Sequence, residues 1–169
     1  MRIKLYKHEP HDYNCPLCRI ANAQFGLDLT TSGDELVFRT DYVVSVISTH
    51  QWPNNPGNVI IFPVEHYENI FDLPLNLASS VHDLARGIAL AMKEAWRCDG
   101  ISTRQHNGHA GNQDVWHFHL HVTPRYEGDD LYATYASSAA VMPPMQRMKY
   151  AAQLRKAMNN LRPMNHPGS

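Results

Sequence analysis

Charge is scarce in this chain of 169 residues: 18% of side chains are Asp, Glu, Lys or Arg, and the two signs nearly cancel to a formal net charge of -1. No basic excess is available to hold a phosphate polymer, so nucleic-acid binding is not expected. Long apolar runs are also missing. No stretch approaches the 18 apolar residues of a membrane-spanning helix, and the start, "MRIKLYKHEPHDYNCPLC", has no apolar core of a secretory signal. The expected location is therefore cytoplasmic, with no membrane partner. Cysteine is rare and odd in number, three in all. That speaks against a disulfide framework and leaves the Cys15-x-x-Cys18 pair for a metal or redox role, with Cys98 alone. Internal repeats and low-complexity blocks are absent.

What is present is a hydrophobic content of 43%, enough for a core in a chain of this length. "CRIANAQFG" reads as a short helix ended by Gly26, after an irregular arm over 1–14. "ELVFRT" and "YVVSVIS" read as strands parted by a turn at Thr40-Asp41. "HQWPNNPG" reads as a loop, and "NVIIFPVEH" as a strand interrupted at Pro63. Between Leu73 and Trp96, Leu77, Val81, Leu84, Ile88, Met92 and Ala95 recur every three or four residues, which predicts an amphipathic helix. Asp72 is its expected cap, with Pro74 in the first turn. "ISTRQHN" is a strand, "GHAGNQD" a loop, "VWHFHLHVT" a strand stopped by Pro124, and "PPMQRMKYAAQLRKAMNNL" a C-terminal helix. The order implies an α+β fold in a single domain: a five-stranded antiparallel sheet, one long helix and short terminal helices.

The chemistry concentrates in "VWHFHLHVTPR". On a strand, residues two apart share a face, so His117, His119 and His121 form a column while Phe118, Leu120 and Val122 face a core. At about 3.3 Å per residue, His117 and His121 lie roughly 13 Å apart at Cα, too far to share one ion. The three imidazoles therefore do separate work along an elongated substrate. Imidazole titrates near neutrality and its neutral nitrogen is nucleophilic, which suits an extended anion such as a nucleotide phosphate.

"HFHLHVTPR" resembles the signature of the histidine triad family, and the upstream segments "NGHAGNQDVWH", "NNPGNVIIFPVEH" and "C-P-L-C" resemble its other motifs in the right order. The resemblance covers roughly 15–125. It implies a domain over 15–130, with 1–14 as an arm and 131–169 as an extension carrying a helix. It further implies a nucleotide hydrolase or nucleotidyl transferase acting at the α-phosphate, of the dinucleoside polyphosphate or nucleoside phosphoramidate type. His119 is then the nucleophile, its second nitrogen donating to a fixed acceptor such as a backbone carbonyl. His121, Gln113, Asn107 and Asn58 are then the nucleotide- and phosphate-binding residues. In cysteine-pair members, zinc is held by residues matching Cys15, Cys18, His66 and His117, a closed set that marks a structural ion. A homodimer is implied as well.

Two positions depart from the pattern. Asn58 stands where the family usually has histidine, and Asp114 stands where it has Ser or Thr, as a phosphate-repelling carboxylate, a proton carrier, or a turn residue. Arg125 is read as either a cation for distal phosphates or a solvated charge, and Trp52 as either a base-stacking ring or a packed one. A phosphoesterase with two His-x-Thr/Ser motifs is excluded, since only His121 begins one. A metal enzyme activating water on His117 and His119 fits poorly with a cysteine-bearing site. The remaining rival from another class is a non-catalytic, zinc-stabilised nucleotide-binding interaction module.

Overall fold

A computed structural model describes residues 7–26, 32–133 and 139–161. The first six residues of the arm, residues 134–138 of the Ser/Ala-rich stretch and the last eight of the extension lie outside the described residues. The elements run α1 (Pro16–Ala21), β1 (Leu36–Arg39), β2 (Val43–Ile47), β3 (His50–Gln51), β4 (Val59–Pro63), α2 (Leu75–Trp96), β5 (Gly100–Gln105), β6 (Leu120–Arg125), β7 (Ala140–Val141) and α3 (Pro144–Leu161). The large sheet is antiparallel with strand order β1-β2-β4-β6-β5. This is the α+β architecture that the periodicities imply.

Every residue of β2 and β4 is buried, because both faces of the sheet are covered. Val43, Ile47, Val59, Ile61, Leu120 and Val122 point to one side, where they meet Val81, Ile88 and Met92 of α2 and Ala151 and Leu154 of α3. The alternate residues Val44, Val46, Ile60 and Phe62 pack beneath Leu17, Ile20 and Ala21 of α1. His121 pairs with Ile60 in the register of β4 and β6, so the histidine column falls on the α1 face while Phe118, Leu120 and Val122 enter the α2 face as expected. Helix α3 belongs to the same core as α2.

Four local expectations change. Strand β6 begins only at Leu120, because His117 and Phe118 are diverted: His117 N donates to the Val115 carbonyl and Phe118 N to the Tyr67 carbonyl. It also continues through Pro124, which pairs with Ile101. The carbonyl of Pro124 accepts from Asn55 Nδ2 on the side away from β5, where β4 has already ended, so no ladder donor is lost. Helix α1 ends at Ala21, five residues before Gly26. Helix α2 starts at Leu75 with Pro74 as its N-cap and no side-chain cap bond. Asp72 instead accepts from Asn69 N. Within "HQWPNNPG", His50 and Gln51 form β3 and pair with β7, a two-residue ladder too short for any periodicity to announce.

Helix α3 is fastened by charge as well as by packing. Arg147, 2% exposed, donates through Nε to Glu35 Oε2 at 2.7 Å and through Nη1 to the Met142 carbonyl at 2.9 Å. Glu35 sits in the 3-10 turn before β1 and is fully buried. Arg147→Ala removes this buried ion pair, a loss of about 3–5 kcal/mol. Urea denaturation is expected to show it as a lower midpoint with unchanged slope, and a cost below about 1 kcal/mol refutes the assignment.

Candidate active site and metal centre

Two centres lie side by side on the α1 face, and His117 and His119 divide between them. His117 is fully buried and turns toward α1. Its Nδ1 lies 3.3 Å from Cys15 Sγ and 3.4 Å from Cys18 Sγ. His66, just past β4, brings its own Nδ1 to 3.2 Å from Cys18 Sγ. The donor atoms of Cys15, Cys18, His66 and His117 all lie within 4.8 Å of one another, the sole such cluster among the described residues. Each imidazole is anchored through the opposite nitrogen. His66 Nε2 meets Glu9 Oε2 at 2.9 Å, and His117 Nε2 meets the Pro63 carbonyl at 3.1 Å. Those partners place the ring proton on Nε2 and leave the Nδ1 lone pairs facing the thiols, which is how metal-binding histidines are held. The Cys15 thiol is pulled below its ordinary range chiefly by its bond with Cys18, then by His117 and His66. A soft Cys₂His₂ donor set of this kind suits zinc and is closed to a fifth ligand, so the ion it fits is structural.

His119 faces the other way, into a cavity of about 540 Å³, a size suited to a small-molecule ligand. Leu17, Val46, Ile60 and Trp52 supply apolar wall, and Arg104, His106, Asp114, His119 and His121 supply polar wall. His119 is 6% exposed, and its Nδ1 donates to the His117 carbonyl oxygen at 2.8 Å, the kind of backbone acceptor expected for a nucleophilic imidazole. The lone pair is therefore on Nε2. Burial holds His119 below the ordinary imidazole value, so the ring is neutral at pH 7. His121 sits with its ring 5.1 Å from that of His119. Burial, then His119, His106 and Arg104, hold it well below the ordinary value.

Asn58 is fully buried and does not line the cavity. Thr123 Oγ1 donates to its Oδ1 at 3.0 Å, which turns Nδ2 toward His121 Nδ1 at 3.3 Å. The proton of His121 consequently lies on Nε2. Asn58 thus orients an imidazole of the cavity wall. Gln113 and Asn107 are likewise drawn off the cavity wall. Gln113 accepts from Gly108 N at 2.8 Å and donates to the carbonyls of Glu68 and Val115, stapling the loop. Asn107 Oδ1 accepts from Ile70 N at 2.8 Å and Gln105 Nε2 at 2.6 Å. Asp114 does line the cavity, at its exposed rim, and Trp52 is both buried and on the wall. Arg125 forms a two-point pair with Asp129, at 2.7 Å for each bond, and lies over the Tyr132 ring, so its half-buried guanidinium is engaged away from the cavity.

The sequence motifs do not single out Arg104, His106 or Glu9. Arg104 has a readable signal: it precedes the glycine-rich loop by a few residues, on a strand directly opposite His121. Glu9 lies in an arm with no pattern, yet the arm is packed. Trp116 N donates to Tyr13 Oη at 3.1 Å, and the His8 ring stacks on Trp116 at 5.6 Å.

Residues 30–128 match the HIT domain family. The chain belongs to the HIT family. It is 25% identical over 146 residues to Protein hit of Bacillus subtilis, covering 86% of this chain and 94% of that one. A zinc-bound histidine triad family protein from Mycobacterium smegmatis superposes with a TM-score of 0.72 at 22% identity, covering 90% of this chain and 98% of its own. The diadenosine triphosphate hydrolase of Plasmodium falciparum, solved with Cyclomarin A, gives a TM-score of 0.65 at 14% identity, covering 85% and 95%. Family membership accounts for the antiparallel sheet and the histidine column, and the Cys₂His₂ cluster agrees with a zinc-bearing relative of the same fold. Among the described residues, no helix of this HIT protein is long and apolar enough to cross a membrane.

Proposed function

We propose that this HIT protein is a nucleotide hydrolase or nucleotidyl transferase working at the α-phosphate through a covalent nucleotidyl-histidine on His119. One observation carries the reading: the His119 Nδ1 proton is committed to the His117 carbonyl, so a neutral ring offers the Nε2 lone pair to the cavity. That atom attacks phosphorus, and water or a second acceptor then displaces it. His121, protonated on Nε2 and fixed by Asn58, donates to a phosphoryl oxygen whose charge rises in the transition state, alongside the Arg104 cation. Leu17, Val46, Ile60 and Trp52 receive the base. Substrates are dinucleoside polyphosphates or nucleoside phosphoramidates, since a HIT-fold neighbour is a diadenosine triphosphate hydrolase.

A cation held by Cys15, Cys18, His66 and His117 would supply no reacting group; it would tie α1 to the segment before β6. The protein works in the cytoplasm as a homodimer, with exposed Ile70, Phe71 and Leu75 available for the second copy. Light scattering that returns a monomer would refute the dimer.

Brief incubation with an adenylated substrate, quenching and peptide mass spectrometry are expected to find an acid-labile adenylyl group on His119. Turnover without any such adduct removes the covalent reading, and nucleotide binding without turnover leaves a binding module.

A further inference from the structure

His106 stands on the wall of the same cavity, and the attack by His119 gives it no task. It lies on the loop after β5, with its ring 6.5 Å from that of His121 at 77°. Its Nδ1 donates to the Gly111 carbonyl oxygen at 2.6 Å, so Nε2 is the nitrogen it has left to offer the cavity. The groups facing that region are His119 and His121 from the β6 segment, Arg104 from β5, Asp114 from the loop and His50 from β3.

A two-step transfer needs a group that gives a proton to the departing atom and then takes one from the incoming water. His119 is excluded, since its Nε2 bonds to phosphorus and its Nδ1 proton is held. His121 is excluded too, because its Nδ1 is taken by Asn58 and its Nε2 proton points to a phosphoryl oxygen. Arginine keeps its charge at all working pH values. Proton exchange near neutrality suits imidazole better than a carboxyl group open to water, as Asp114 is. Where the motif loses an imidazole at Asn58, the loop after β5 puts one back.

We propose that His106 is the general acid and base on the leaving-group side, a role that rests on the reading of His119 as nucleophile. In the first step the His119 Nε2 lone pair forms the N–P bond and the bond from phosphorus to the leaving atom breaks. Its electron pair stays with the leaving atom, which takes the proton from His106 Nε2. In the second step water oxygen bonds to phosphorus and gives a proton to neutral His106 Nε2. The N–P bond then breaks, its pair returning to His119.

The test is His106→Gln on two probes, since Gln retains an N–H for the Gly111 carbonyl. Adenosine 5′-phosphoramidate has an amine leaving group that needs a proton, whereas the p-nitrophenyl ester of AMP releases its phenolate without one. The variant is expected to lose about 10²–10⁴ in kcat/KM on the phosphoramidate. On the ester it keeps a burst of nitrophenolate within about tenfold of the wild-type rate, followed by slow turnover, because water attack has lost its base. The burst also shows that the variant is folded. Equal losses on both probes, or a loss on neither, overturn the role of His106 while leaving His119 intact. An unmodified His119 in the wild-type chain overturns both.

Discussion

His119→Ala is expected to lower kcat/KM by at least about 10⁴, equivalent to about 5.4 kcal/mol of transition-state stabilisation. Removing a nucleophile costs more than removing one oxyanion donor, because no alternative covalent path remains. No neighbour can substitute. The lone pair of His121 Nδ1 is occupied by Asn58, and His117 is committed to the metal cluster. The rest of the cavity is unchanged, so the Kd for a nucleotide should stay within about tenfold. Steady-state kinetics on the p-nitrophenyl ester of AMP, with a parallel binding titration, checks both halves. A variant that keeps more than about one part in a hundred of the activity removes His119 from the chemistry. Free imidazole added to the variant is expected to restore some turnover, since the missing group is one ring with one reactive lone pair.

Which parts of this site can be read from letters depends on what each residue type is able to do. Three histidines in strict alternation with apolar residues put every imidazole on one face of a strand, so the face of β6 follows from period two alone. Helices α2 and α3 follow from their three-and-four spacing. The strand's starting point does not, because His117 and Phe118 are pulled away by Pro63, Tyr67 and the thiols, contacts between segments far apart in the chain. Asn58, Asn107 and Gln113 show a second limit. An amide serves equally well as a phosphate donor or as a staple for a glycine-rich loop, and composition does not distinguish the two. All three are engaged by hydrogen bonds within the chain, as staples or orienting groups. His106 shows a third: a cavity residue standing outside the motif is visible only once β5 and the loop are folded around it. The same holds for β3 and β7, whose pairing brings Ala139 to the cavity wall from the far end of the chain.

Emptying the metal cluster is expected to cost stability first and activity second. At free zinc 1,000 times its Kd, binding stabilises the folded chain by about 4.1 kcal/mol. At about 2–4 °C per kcal/mol for a chain of this size, chelation or Cys18→Ser should lower the thermal midpoint by about 8–16 °C. Elemental analysis should find about one zinc per wild-type chain and none in the variant. The effect on activity follows from a single peptide unit. The imidazole of His117 belongs to the cluster, while its carbonyl oxygen holds the proton of His119 Nδ1. Losing the metal loosens that carbonyl, and with it the tautomer that leaves Nε2 free. Well below the new midpoint, the variant should therefore fall about 10–100-fold in kcat, the range typical of groups that orient functional ligands, with KM raised as well, because Leu17 of the cavity wall lies between Cys15 and Cys18. Unchanged stability after complete removal of zinc would refute the structural role. A lower midpoint with wild-type kcat would instead show that the His117 carbonyl keeps its place without the metal.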